Sequence, residues 1–476
     1  MLDIIIYGGY VVTMEGPGTG LINNGAVGIK GNKIEVVGST DEVMRQYKAH
    51  RYIEAIGKAI LPGFVDVHKH TSNAIVRGVS QDLPASEWMF RGILPMLSVA
   101  QPDDLAKGSM LNILEALKSG TTTFCDFDVP MLAIAPNYEK AKVRAVLSNM
   151  INELPVDVSV IEHGIEYPLN SAIGQQKLAD NTALIEHYHQ SNGGRITCRY
   201  GPQAVDMCSV ELLREIKNLA DQKNVLINMH VTQSKEEIVQ CKLRTGKRPV
   251  ALLEELGYLN SHLLAAHMTN AELWEVEQVA RSGAALCLCS NSIDIISGEL
   301  PPAQEFLSFG GKVGLGTDQA PGNNCNMMFN EMKITALLHK YKNADATVFP
   351  AWKVLRMATI EAAQALGMEK SIGSLRAGKL ADIIIVNLQV PHLTPILEVP
   401  VRNIVPNLVY AARGGEVETV LVDGQFVVEN HKVLTVNECE AVTEANAAAR
   451  SMELRLQKEA WTKTLPLARW TQEEYY

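Results

Sequence analysis

No two of the eight cysteines are spaced as CxxC, which excludes a locally encoded zinc ribbon or thioredoxin-like redox pair. Their low density over 476 residues also excludes a disulfide scaffold and points to a reducing, cytoplasmic compartment. No run of Lys and Arg interrupts a net charge of −10, so phosphate backbones and anionic membrane surfaces are repelled and neither is an expected partner. The apolar opening, Met1 to Tyr7, is short, carries Asp3 and lacks a basic leader, so it reads as neither a signal peptide nor a membrane span. Absent too are a GxGxxG after a first strand and a GxxxxGK[ST], the marks of dinucleotide and P-loop folds.

What is present is an ordinary globular composition, 47% hydrophobic and 20% charged, in a chain longer than one small core usually holds. Residues 1 to about 60 read as short strands broken by Gly and Asn turns, with one helical stretch from Asp41 to Tyr47. From Pro62 the pattern changes to eight apolar runs of strand length: Gly63–His70, Thr121–Asp126, Val143–Asn149, Arg195–Gly201, Val225–Thr232, Leu263–Thr269, Ala284–Ser290 and Lys312–Asp318. Helical segments separate most of them, such as Ser209–Ile216 and Asn270–Val276, and strands alternating with helices imply a parallel sheet. Eight such units predict an α/β fold, a closed (β/α)₈ barrel over 62–370.

Two helices follow, near Asn326–Tyr341 and Ala351–Gly367, and then strands return at Ala381–Asn387 and Val417–Val428, the latter interrupted by the hairpin signal Asp423-Gly424. Both chain ends are therefore expected to build one small β-sandwich, 1–61 with 371–436, leaving 437–476 as a charged helical tail that is either solvated or packed on a partner subunit. Cys287 and Cys289 alternate within an apolar run and read as small core residues of a strand.

The chemistry collects at strand ends. His68 and His70 close the first run one residue apart, so in a strand their imidazoles aim to one side and can share a metal. His230, His267 and Asp318 stand at the ends of the fifth, sixth and eighth runs. In a barrel every carboxyl strand end lies around one mouth, which brings these five ligand-type residues together. The remaining histidines, including His163, His187, His189, His262, His339, His392 and His431, fall off this pattern and read as surface or structural.

Pro62-Gly63-Phe64-Val65-Asp66 before the HxH, then His230, His267, Gly316-Thr317-Asp318 and the segment Gly373–Asp382, resemble the amidohydrolase superfamily. The resemblance extends over Arg77-Gly78, Glu87-Trp88, Ser119–Thr123 and Arg356–Thr359, and is greatest to the triazine hydrolase and S-adenosylhomocysteine/methylthioadenosine deaminase branch. It implies one divalent metal, zinc or alternatively iron or manganese, on His68, His70, His230 and Asp318. His267 would stand beside it, Asp318 would take the proton of the attacking water, and Trp88 would line the pocket. The implied reaction is attack of a metal-bound hydroxide that replaces an amino, alkylamino or chloro group on a nitrogen heterocycle of triazine, pyrimidine or purine type. Such proteins are often homodimers or larger.

Four positions depart from that pattern. Gln233 stands where relatives carry a proton-shuttling Glu, Gln203 where His is common, Asn270 where many have a second His, and Gln319 where Gly is usual. An amide transfers no proton, so these four residues are read as hydrogen-bonding contacts to a neutral, polar substrate. Two alternatives remain open: a cyclic amide or imide hydrolase with Asp318 as the only acid and base, and a catalytically silent metal-binding relative. A carbamylated-lysine dinuclear site would favour the first, and Arg199-Tyr200-Gly201 at the end of the fourth run offers no lysine for it.

Overall fold

The computed structural model describes residues 1–476 apart from 84–86, 163, 460, 463–464 and 476; His163 and Tyr476 thus lie outside the described residues. Five strands form at the amino end: β1 Leu2–Val12, β2 Leu21–Lys30, β3 Lys33–Ser39, β4 Ala49–Glu54 and β5 Lys58–Pro62. Alternation along β1 sends Ile4 and Ile6 into one apolar cluster with Val27 and Ile29, and Ile5 into another with Val43 of the helix Thr40–Gln46, as a period of two requires. Ser39 and Glu42 cap that helix reciprocally.

The eight apolar runs all fall on strands: β6 Phe64–His70, β7 Thr121–Asp128, β8 Arg144–Ile151, β9 Ile196–Cys198 with β10 Gly201–Pro202, β11 Ile227–Val231, β12 Leu263–His267, β13 Ala285–Leu288, and β14 Lys312–Leu315 with β15 Asp318–Gln319. They pair in parallel as two sets, one ordered β10-β8-β7-β6-β15 with β9 beside β8, the other β11-β12-β13-β14. The molecule is thus an α/β protein built on parallel sheets. Every residue of β6, β7, β11, β12 and β13 is buried, which explains the near-continuous apolar sequence of β12 and β13. Backbone bonds link the sets: Tyr200 N–H donates to Leu226 at 3.0 Å, and Asn228 N–H to Tyr200 at 3.0 Å.

Four strands close the chain's β content, β16 Ile383–Asn387, β17 Val417–Val422, β18 Gln425–Glu429 and β19 Lys432–Val433. They join the amino-terminal strands in one nine-stranded sheet in which β16 pairs antiparallel with β5, Ile383 opposite Pro62. The Asp423-Gly424 signal is the β17–β18 turn, with Val422 opposite Gln425. The second late helix is broken into Ala351–Met357 and Ile360–Ala365, because Thr359 leaves helical geometry between them.

The tail docks on its own chain. Helix Glu438–Leu456 buries Ala441, Ala445, Ala448 and Met452, and it is tied to helix Pro102–Lys118 by the Lys118–Glu438 and Arg455–Asp104 ion pairs. Among the described residues no helix is long and apolar enough to cross a membrane.

Candidate active site

His68 and His70 are at the end of β6, His230 is in β11, His267 ends β12 and Asp318 opens β15, and all five are buried. His230 Nε2 lies 3.2 Å from His68 Nε2 and 3.3 Å from His70 Nε2. Asp318 Oδ1 is 3.4 Å from His70 Nε2 and 3.7 Å from His68 Nε2. The outer nitrogens explain the ring orientations: His230 Nδ1 meets the Gln203 carbonyl at 2.8 Å, and His70 Nδ1 meets the Phe127 carbonyl. A carbonyl only accepts, so both Nδ1 atoms carry the proton and both Nε2 atoms carry lone pairs.

Those lone pairs face one another, which is unfavourable unless an electron acceptor sits between them. Protonation does not supply it, since burial, then the neighbouring imidazoles, hold His230 and His68 well below the ordinary histidine value. Asp318 Oδ1 is buried without a hydrogen bond, a state that costs about 1–3 kcal/mol for a neutral group and more for a charged one. Three inward imidazoles and one orphaned carboxylate oxygen fit a divalent cation; His68, His70 and His230 form one candidate ligand group, and His68, His267 and Asp318 another.

Backbone strain concentrates here. Thr232, His267, Met268 and Asp318 have φ of 47°, 73°, 53° and 59°, left-handed values that non-glycine residues adopt at a cost and that cluster at functional sites. Gly316 permits the approach of the eighth strand to the first, because a Cβ there would lie 2.7 Å from Cys287 Sγ and 2.8 Å from His68 Cβ. Beneath the cluster, Lys69 Nζ donates to Asp66 Oδ2 at 3.0 Å and to Thr317 Oγ1 at 2.6 Å. Thr317 in turn donates its N–H to Asp66 Oδ1 at 3.0 Å, so β6 is tied to the approach to β15.

His70, His230, His267 and Asp318 open onto a cavity of about 840 Å³ that Trp88, Gln203, Gln233, Asn270 and Gln319 also line. All four substituted amides are therefore brought to the same chamber. His267 is stacked on His230 with 5.2 Å between centroids, and burial lowers it to about 3. Trp88 is 4% exposed and its indole Nε1 has no acceptor among the described residues.

Several partners escaped sequence reasoning. Ser292 Oγ donates to Asp318 Oδ2 at 2.6 Å, fixing which oxygen is left free. Asn73 Nδ2 donates to Gln319 Oε1 at 2.8 Å. Asp206 lines the cavity with Oδ1 unpaired, and its carboxyl is raised by burial to about 7. None lies in a recognisable spacing; only Asn73, three residues after His70, had a sequence neighbour that could have flagged it.

A profile of the amidohydrolase family matches residues 59–427. The chain belongs to the amidohydrolase family. This amidohydrolase is 33% identical over 450 residues, 94% of its own length and 98% of the relative's, to a 5-methylthioadenosine/S-adenosylhomocysteine deaminase of Pelotomaculum thermopropionicum. Its fold matches an adenosine deaminase of Xanthomonas campestris with bound zinc at TM-score 0.87, with 26% identity, covering 95% of this chain and 99% of that one. It also matches the zinc-complexed atrazine chlorohydrolase of Arthrobacter aurescens at TM-score 0.82 and 22% identity, covering 94% and 100%, a likeness of fold alone.

Proposed function

We propose that this amidohydrolase replaces an amino, alkylamino or chloro group on a nitrogen heterocycle by hydroxyl. The observation that carries the reading is the meeting of three imidazole Nε2 atoms and the unpaired Asp318 Oδ1 at the cavity floor. His68, His70, His230 and Asp318 would hold one divalent ion, zinc by likeness to the zinc-bound adenosine deaminase. Bound there, it supplies Lewis acidity and lowers the pKa of water.

The chain's own groups do the rest. The Asp318 carboxylate, positioned by the Ser292 bond to Oδ2, accepts the proton of the attacking water and returns it to a departing nitrogen. His267 hydrogen-bonds the reacting edge of the ring. Trp88 covers the ring, and Gln203, Gln233, Asn270 and Gln319 contact its polar edges. With Gln233 in place of a carboxyl, a chloride, which leaves unprotonated, is the easier leaving group.

The architecture we attach to this reading is a closed (β/α)₈ barrel over 62–370, a β-sandwich of 1–61 with 371–436, and the tail 437–476. Supporting closure are the Tyr200 bonds to the fifth strand and the pairing of Asp318 with Lys69. A cytoplasmic setting fits eight free cysteines, and a homodimer or larger assembly completes the proposal.

The test is mass spectrometry of products from zinc-loaded protein given amino-, alkylamino- and chloro-substituted triazines, pyrimidines, purines and purine nucleosides, with cyclic imides beside them. Exchange of a substituent for hydroxyl is the expected result. Ring opening with addition of a whole water would move the protein to the cyclic amide class.

A further inference from the structure

Asn152 directly follows β8, and its amide joins two parts of the cavity wall. Its Oδ1 accepts Lys177 Nζ at 2.9 Å and the Leu154 N–H at 3.1 Å. Both partners only donate. Burial lowers Lys177 to about 8, which leaves it an ammonium at neutral pH, and the backbone N–H donates at any pH. The oxygen of Asn152 must therefore face them, and its Nδ2 must face the opposite way.

Nδ2 meets Gln203, whose Oε1 accepts it. Amide orientation is ordinarily ambiguous, because oxygen and nitrogen look alike; here donor-only partners fix it by chemistry. Gln203 aims its Oε1 at Asn152, and its Nε2, bonded to no described residue, is what it offers to the cavity it lines. The carbonyl of the same residue holds His230 Nδ1 at 2.8 Å, so this donor is placed rigidly beside the candidate ligands. Gln319 is turned in the same sense, its Oε1 accepting from Asn73.

We propose that Asn152 and Lys177 are positioning residues that make Gln203 an obligate hydrogen-bond donor, so that the site selects heterocycles presenting a lone pair at this edge over those presenting C–H or N–H. The inference rests on the heterocycle reading above. It assigns a selectivity to the amides that a tolerated drift of peripheral residues would not produce.

Asn152→Asp tests it by inversion. The carboxylate keeps the bonds from Lys177 and Leu154 but offers Gln203 an acceptor where it had a donor. Gln203 must then turn its Nε2 outward from the cavity and present Oε1 instead. The probes are an s-triazine carrying only alkyl groups, which has no leaving group, and its pyrimidine counterpart with one ring nitrogen replaced by C–H. Calorimetry on zinc-loaded protein measures both affinities, and zinc content and melting temperature check the fold.

The wild type is expected to prefer the triazine by about tenfold, the worth of one hydrogen bond, and the variant to lose or reverse that preference. If Asn152→Asp does not fold, Asn152→Ala frees the Gln203 amide to rotate and brings the ratio toward one. An unchanged preference in a folded variant, or equal binding of the pair by the wild type, overturns the inference while leaving the heterocycle reading standing. Binding of neither probe by the wild type, with no turnover of any heterocycle, removes that reading and the inference with it.

Discussion

Arg144 and Asp382 are joined by two hydrogen bonds, Nε to Oδ2 at 2.8 Å and Nη2 to Oδ1 at 3.1 Å. The pair links the start of β8 to the residue before β16, and thus the parallel sheets to the nine-stranded one. Arg144 also reaches Asp423 Oδ1 at 3.2 Å. Removing the guanidinium by Arg144→Met would leave two carboxylates facing each other in a buried site, a loss of about 3–5 kcal/mol. Arg144→Lys restores less than half of it, because an ammonium does not reproduce the two-bond geometry. Chemical denaturation measures both, and a lysine variant as stable as the wild type would show that charge alone suffices.

His339 is buried with neither ring nitrogen hydrogen-bonded among the described residues. Burial, then the charge of Lys342, lowers it from 6.5 to about 3. The folded chain keeps it neutral, whereas below pH 6.5 the unfolded chain takes up a proton that the folded one does not. Its contribution is complete above that value and is lost as pH falls toward 3. His339→Leu should therefore flatten the acid side of the stability curve and, by removing unpaired polar atoms, add about 1–2 kcal/mol near pH 5. Urea midpoints across pH 4–7 decide it; parallel curves for variant and wild type would refute the assignment.

The strand ends were legible because period-two alternation and strand order are local and topological facts: His68 and His70 share a side whatever surrounds them, and a parallel sheet places His230, His267 and Asp318 at the same edge. The joining of the chain ends was legible for a similar reason, since half-buried strands at both termini need the same kind of partner. Ser292, Asn152 and Lys177 were not legible. Their roles depend on which atom of a distant side chain is already engaged, and that information exists only after packing. The tail's docking was equally hidden, because Ala441, Ala445 and Ala448 mark a close helix contact without saying with which helix.

Metal removal gives a direct prediction from the facing Nε2 atoms. Purified protein should carry one divalent ion per chain, and chelation should abolish turnover and lower the melting temperature, since a ligand bound only by the folded state at about a hundredfold over its Kd adds about 2.7 kcal/mol. Zinc should restore both. His230→Ala should reduce the metal content of the purified chain well below one, as read by elemental analysis. Full occupancy in that variant would place the ion elsewhere.

Gln233 occupies a turn held by its backbone: its N–H donates to Glu237 Oε2 at 2.7 Å, and the Thr232 N–H donates to Oε1 at 3.0 Å. The side chain at 233 can therefore change without loss of the turn. A departing amine needs a proton, which the proposed mechanism takes from Asp318, whereas chloride departs without one. Gln233→Glu puts a carboxyl at the position where relatives of this type carry a proton-shuttling Glu, and this should raise the turnover of alkylamino relative to chloro substrates by about tenfold. It should also add a limb to the pH dependence of kcat/KM, above which activity on the amine falls as the new acid ionises, with the chloro substrate unaffected. Rates on a matched alkylamino and chloro triazine from pH 5 to 9 resolve the two leaving groups. An unchanged ratio with an unchanged profile would mean that leaving-group protonation does not pass through this position.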